Sequence, residues 1–161
     1  SRMAAEADMP RGDPHLRSVV EVTGSDMSGP AIELARENCH RLAHGLVRFH
    51  RSDLLSAYPR DSFDILTANP PYLSSAECRE VLAQGWGEPD IALDGGNEGF
   101  DLLERVIEQS LASLRQNGYI LVEAADTQAQ RIRSLLRDAG YTEIETVRDL
   151  AGRRRVSVGR R

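Results

Sequence analysis

The sequence has 161 residues, 40% of them hydrophobic and 28% charged, with a formal net charge of −5. That length supports one domain with a true core, and the acidic balance argues against a chain whose main business is gripping nucleic-acid phosphates. Two cysteines exclude a disulfide framework or zinc knuckle, and the absence of lysine excludes Schiff-base, P-loop and lysine-base chemistry.

Taken in chain order, the sequence begins with a scrap of helix around Met3–Ala7, followed by the turn-rich Pro10-Arg11-Gly12-Asp13-Pro14. Val19–Thr23 is short and β-branched and predicts a first strand. Ser28 then caps a helix reaching to about Leu42, with Pro30 in its first turn. Ala31, Ile32, Ala35, Cys39 and Leu42 keep helical spacing on its apolar stripe, which makes Cys39 a packing residue. Leu46–His50 predicts a second strand and Phe63–Ala68 a third. Residues 73–99 are mixed and hold Trp86, Glu88-Pro89 and the cluster Gly95-Gly96-Asn97-Glu98-Gly99. From Phe100 to about Leu114 a helix turns Leu103, Val106, Ile107, Ser110, Leu111 and Leu114 to one face. Gly118–Glu123 is a fourth strand, and Gln128–Ala139 a helix closed by Gly140 as its C′ residue. Thr142–Arg148 and Arg154–Val158 predict a hairpin turning near Ala151-Gly152. No apolar run reaches the roughly 20 residues a membrane helix needs, and no signal-peptide pattern opens the chain, so a cytoplasmic location is expected.

Alternating strands and helices predict an α/β fold, a mostly parallel sheet covered on both faces with a C-terminal antiparallel hairpin added. Ligands of such sheets bind beyond the carboxyl ends of the strands. Asp26, Asp53, Asn69 and the segment after Glu123 occupy those positions.

Asn69-Pro70-Pro71-Tyr72, directly after the third strand, is the sharpest signal. Two consecutive prolines fix the backbone and remove two N–H donors, leaving carbonyls free to accept from a ligand. The Pro70 carbonyl and the Asn69 amide oxygen can form a pair of acceptors for an NH2 group, with Tyr72 as an aromatic wall. The plainer alternative is a Pro-Pro turn that ends a strand. Asp26 and Asp53 taken singly read equally well as helix caps or solvated acids. Taken together with Asn69, they suit an adenosine-bearing cofactor, Asp26 toward ribose hydroxyls and Asp53 toward the adenine amino group.

Asn69-Pro70-Pro71-Tyr72 followed by Glu88-Pro89, Ala92-Leu93, Gly95-Gly96 and Gly99-Phe100 resembles the protein glutamine-N5 methyltransferases that modify peptide-chain release factors, the HemK/PrmC family. The resemblance runs from about Val19 to Arg160. It implies a Rossmann-like enzyme using S-adenosylmethionine, with Asp26 on the cofactor ribose, Asp53 and Leu54 framing the adenine, and Asn69 touching the cofactor. Asn69, Pro70, Pro71 and Tyr72 would bind the substrate glutamine, which in the family lies in the Gly-Gly-Gln loop of a release factor. Asn69, Pro70 and Tyr72 would form the catalytic set. No metal is implied, and the expected partner is the release factor, met by a monomer with no membrane or direct nucleic-acid contact. The Asn-Pro-Pro-Tyr element alone is shared with methyltransferases acting on amino groups of adenine or guanine, which leaves a nucleic-acid amino methyltransferase as the alternative.

The family's glycine-rich turn between first strand and first helix should precede Val19, and Gly12 and Gly24 are poor substitutes for it. Residues 1–161 are therefore expected to be a single, incomplete catalytic domain without its first strand, without that turn and without the family's N-terminal substrate-recognition domain. An inactive fragment is the corresponding alternative. The lost strand would lie at the sheet centre and leave two neighbours with unpaired edges. Among the histidines, His40 and His44 have i, i+4 spacing but no third ligand, so a surface or packing role is expected. Arg153-Arg154-Arg155 with Arg160-Arg161 reads as a charged edge strand, or as a contact for acidic protein or RNA.

Overall fold

The computed structural model describes residues 20–43 and 45–161. The expected Met3–Ala7 helix, the Pro10–Pro14 turn, Gly12, His15, Val19 and His44 lie outside the described residues. The chain divides into two compact units, Ser1–Arg51 and Ser52–Arg161.

In the first unit, strand β1 (Val22–Asp26) is followed by helix α1 (Gly29–Ala43) and strand β2 (Val47–Arg51). The two strands pair in parallel, with Val22 opposite Val47 and Asp26 opposite Arg51. The first strand thus lies three residues later than the β-branched run Val19–Thr23 predicts. Gly24 is inside it, not a turn glycine. A Cβ there would come within 3.0 Å of the Phe49 ring, so the missing side chain makes room for an aromatic on the neighbouring strand. Ser28 does cap α1, its Oγ accepting the Ala31 N–H. Ile32 and Cys39 are buried as the stripe requires, but Leu42 is 81% exposed. The stripe continues from Cys39 to the half-buried Ala43, four residues on, which turns Leu42 outward.

The second unit holds β3 (Phe63–Ala68), α2 (Ser75–Ala83), a 3₁₀ turn (Asp90–Ala92), α3 (Asp101–Ser113), β4 (Leu114–Glu123), a second 3₁₀ turn (Asp126–Gln128), α4 (Ala129–Asp138), β5 (Thr142–Arg148) and β6 (Arg154–Arg160). Its sheet runs β3-β4-β6-β5. Only β3 and β4 are parallel, while β6 pairs antiparallel with both β4 and β5. The sheet is therefore mixed, not mostly parallel. The reason is connectivity: α4 carries the chain past one strand position to β5, and the short turn through Asp149 returns β6 into the gap. A hairpin return can only be antiparallel. Asp149 Oδ1 organises that turn by accepting the N–H groups of Ala151 and Arg153, each at 2.9 Å.

The core lies between this sheet and its helices. Leu103, Val106, Ile107 and Ser110 of α3 recur with helical spacing and are buried. Gly118, Ile120 and Val122 alternate with more exposed neighbours along β4, and Ile132 and Leu136 of α4 close the cluster. Gly140 ends α4 as expected. Its N–H reaches the Arg137 carbonyl and the Tyr141 N–H reaches that of Leu136, the paired bonds of a Schellman cap. Among the described residues β1 pairs only with β2, and β3 only with β4. No helix among those residues is long and apolar enough to cross a membrane.

Candidate active site

Strand β3 ends at Ala68 and delivers Asn69-Pro70-Pro71-Tyr72 to its carboxyl end. Asn69 is exposed, and no side-chain hydrogen bond ties it to another described residue. Pro70 beside it is buried, while Pro71 is half-buried. Tyr72 is half-buried too, its ring packed against the core cluster. The segment thus combines an anchored backbone with one free amide side chain. An inert Pro-Pro turn would not require the second feature.

The anchoring comes from the glycine cluster. Leu73 and Asp94 form a parallel bridge. The Leu73 N–H donates to the Leu93 carbonyl at 3.2 Å, and the Gly95 N–H returns to the Leu73 carbonyl at 2.8 Å. Ser75 N–H donates to the Gly96 carbonyl at 2.8 Å, and Asp101 N–H to that of Gly95 at 2.9 Å. A Cβ at Gly95 would lie 2.6 Å from the Pro71 carbonyl oxygen. Position 95 is glycine because two backbones run against each other there with no space for a side chain.

Asp94 and Gln128 complete this seam, and neither stands out in the sequence. Asp94 Oδ1 accepts the Gly96 N–H at 2.9 Å and the Ser75 hydroxyl at 2.8 Å. Those bonds, the Gly96 N–H foremost, hold the Asp94 carboxyl below the usual carboxylate range. Gln128 follows β4 and ends the second 3₁₀ turn. Its Nε2 donates to the Tyr72 carbonyl at 2.9 Å and to the Gly99 carbonyl at 3.2 Å. Sequence reading sees only a helix start at Gln128, because a partner 56 residues away leaves no local trace.

The other predicted site residues are placed as follows. Asp26 closes β1, and its Oδ1 accepts the Ser28 N–H at 2.7 Å, so the carboxylate supports the entry to α1. Asp53 lies just after β2 and is ion-paired through Oδ2 with Arg105 of α3 at 2.7 Å. Leu54 adopts a positive φ of 50° and, with Leu55, packs on the core cluster. The Leu55 N–H donates to Gln109 Oε1 at 3.0 Å, a second tie from this segment to α3.

Four of the five C-terminal arginines are engaged within the chain. Arg154 pairs with Asp126, Arg155 with Asp149, Arg160 with Glu143 and Arg161 with Asp61. Arg161 also donates to the Leu114 carbonyl. Strand β6 lies between β4 and β5, so the edge-strand reading of this cluster is corrected. Among the described residues no group of three or more His, Cys, Asp or Glu is arranged to hold a metal. Cys78 of α2 is buried, and that burial, with Asp94 and Asp90 nearby, pushes its thiol up and away from reactivity.

The methyltransferase small domain family matches residues 15–85. A release factor glutamine methyltransferase of Koribacter versatilis is 37% identical over 88% of this chain and 50% of its own length. That of Bordetella pertussis is 38% identical over 86% of this chain and 52% of its own. The chain therefore spans about half the length of the curated relatives it matches. Among solved structures, a methyltransferase from Pyrococcus furiosus superposes with a TM-score of 0.64 at 17% identity, covering 87% of this chain and 62% of that one. A ribosomal protein L11 methylase from Lactobacillus delbrueckii gives 0.60 at 15% identity, covering 88% and 57%. The fold is the Rossmann-like fold of S-adenosylmethionine-dependent methyltransferases.

Proposed function

We propose that this chain is the catalytic portion of a release factor glutamine methyltransferase, to which its relatives are 37–38% identical, and that it methylates the side-chain nitrogen of a glutamine in the Gly-Gly-Gln loop of a release factor. The observation that carries the reading is Asn69, an exposed and unengaged carboxamide on a backbone held by the glycine cluster.

The donor set suits S-adenosylmethionine. In the proposed roles Asp26 Oδ2 would take the ribose hydroxyls, and Asp53 Oδ1, with Leu54, would take the adenine amino group. The Oδ1 of Asp26 and the Oδ2 of Asp53 serve the chain itself. When bound, this cofactor supplies an electrophilic methyl group.

A glutamine nitrogen is a poor nucleophile, because its lone pair is delocalised into the carbonyl. Asn69 Oδ1 and the Pro70 carbonyl oxygen would each accept one of its N–H bonds. That fixes the nitrogen's direction, an orientation effect. It also stabilises the positive charge that grows on the nitrogen, since both acceptors present partial negative charge to its hydrogens. Tyr72, half-buried two residues beyond Pro70, would border the same planar group with the part of its side chain that the core leaves uncovered. The N-protonated amide that methyl transfer would leave is a strong acid and would release its proton to water, so no side chain is needed as a strong base.

The reading places the chain in the cytoplasm with its release factor and lets it act as a monomer. The internal pairing of Arg154, Arg155, Arg160 and Arg161 supports a protein substrate over a nucleic acid, which would need those charges free. The test is incubation with methyl-labelled S-adenosylmethionine and either a release factor or its Gly-Gly-Ala variant, followed by mass spectrometry. A methyl group on the loop glutamine and none on the variant is expected. Label on RNA alone would overturn the reading.

A further inference from the structure

We propose that Gln128 is a positioning residue that sets the pose of Asn69 and Pro70 through the Tyr72 backbone. Its amide joins three separate segments. Oε1 accepts the Ala125 N–H at 3.2 Å, after β4. Nε2 donates to the carbonyl of Tyr72, after β3, and to that of Gly99, in the glycine cluster. Each amide hydrogen has one acceptor, so the side chain has no donor left over.

Three features show how tightly this arrangement is drawn. Gln128 is 9% exposed, and its own N–H donates to the Ala125 carbonyl at 3.0 Å, which fixes the backbone that carries the amide. A Cβ at Gly99 would lie 3.1 Å from Nε2 and 2.3 Å from the Tyr72 carbonyl oxygen. Finally, the Gly95 N–H donates to the carbonyl of Leu73, the residue after Tyr72. Tyr72 is therefore held from both flanks, and Asn69 and Pro70 are separated from it only by Pro71, whose φ is locked by its ring. A shift of the Tyr72 carbonyl is passed to both acceptors with little slack.

The inference rests on the methyltransferase reading for its effect on turnover and on geometry alone for its effect on the loop. Gln128→Glu keeps the shape and the acceptor for Ala125 but removes both N–H donors, setting a carboxylate against two carbonyls. With a release factor as substrate, kcat at pH 8 should fall roughly 10–100-fold while the affinity for S-adenosylmethionine, measured by calorimetry, stays within about twofold. As the pH is lowered towards about 5, the carboxyl takes up a proton, helped by burial, and its O–H can again donate to Tyr72. The ratio of variant to parent kcat should therefore rise. A variant whose kcat matches the parent at every pH, or whose loss ignores pH, would overturn the proposal.

Gln128→Met supplies the arm that needs no turnover. Hydrogen exchange at the Leu73 and Gly95 amides should quicken about tenfold or more, while amides of β4 keep their protection. Unchanged exchange at those two amides would refute the positioning role. If the parent methylates no release factor, the functional reading falls, and the exchange result still decides for or against Gln128.

Discussion

Gly99 approaches the Tyr72 carbonyl so closely that a Cβ on Gly99 would lie 2.3 Å from that oxygen. The glycine also has a φ of +75°, in the left-handed region that side chains disfavour. Gly99→Ala therefore meets a backbone clash and a strained dihedral together, neither of which a rotamer change can relieve. We expect a loss of about 2–4 kcal/mol in urea unfolding. Gly87, with nothing within 4 Å of a built Cβ and no positive φ, is the control. Gly87→Ala should stay within about 0.5 kcal/mol of the parent.

A second prediction concerns the core. The Ser110 hydroxyl and the Tyr141 hydroxyl are 2.6 Å apart, both buried. Ser110 Oγ donates its only proton to the Ile107 carbonyl, so Tyr141 must be the donor between them. Tyr141→Phe leaves one lone pair of Ser110 without a partner and should cost about 1–2 kcal/mol. Burial, the largest cause, raises the Tyr141 phenol above its ordinary value of 10.0. The folded state then holds this proton more firmly than the unfolded state. Its contribution is fully present below about pH 10 and is lost as the pH rises through the folded value. Stability curves against pH should show that alkaline decline in the parent and a shallower one in Tyr141→Phe.

The acid side has the opposite sign. The Asp94 carboxyl is lowered from its ordinary value of 3.8 by the Gly96 N–H first and the Ser75 hydroxyl second. Stability from this carboxylate is present above that ordinary value and disappears as the pH falls through the lower, folded one. Asp94→Asn retains an oxygen that can accept both bonds but cannot titrate. The variant should fold at neutral pH and lack this share of the acid decline below about pH 4. An acid limb identical to that of the parent would show that the seam does not depend on the charge.

Much of this arrangement is visible in the residues themselves. The strand Phe63–Ala68 and its Asn-Pro-Pro-Tyr continuation are local signals: a β-branched and aromatic run stopped by prolines. Helix α3 and the cap at Gly140 are equally local, one written in apolar spacing and the other in a single glycine. The start of β1 is not local, because its register is chosen by pairing with β2, which draws Gly24 over Phe49. The insertion of β6 between β4 and β5 is also a matter of connection, and no periodicity reports it. The same distinction divides the site. Gly95 and Gly99 are conspicuous as letters, but their reason lies in the Pro71 and Tyr72 backbone they press against, whereas a Cβ at Gly96 would meet the Asp101 carboxylate. Gln128 carries no letter-level signal at all.

The last prediction separates chemistry from folding at Asn69. Its side chain is exposed and makes no hydrogen bond to the described residues, so removing it takes nothing from the packed structure. Asn69→Ala should therefore unfold within about 0.5 kcal/mol of the parent. The proposed role, in contrast, depends wholly on Oδ1 as an acceptor for the substrate nitrogen, and losing one such preorganised partner costs on the order of 10²–10³ in kcat. Asn69→Asp keeps an acceptor in the same place but replaces an amide with a full negative charge that must be desolvated as substrate closes over it. It should retain more turnover than the alanine variant and less than the parent. Rates of methyl transfer to the release factor, set beside urea unfolding of the same three proteins, give both quantities. A large drop in stability with Asn69→Ala would make Asn69 a structural residue, and undiminished turnover would remove it from the reaction.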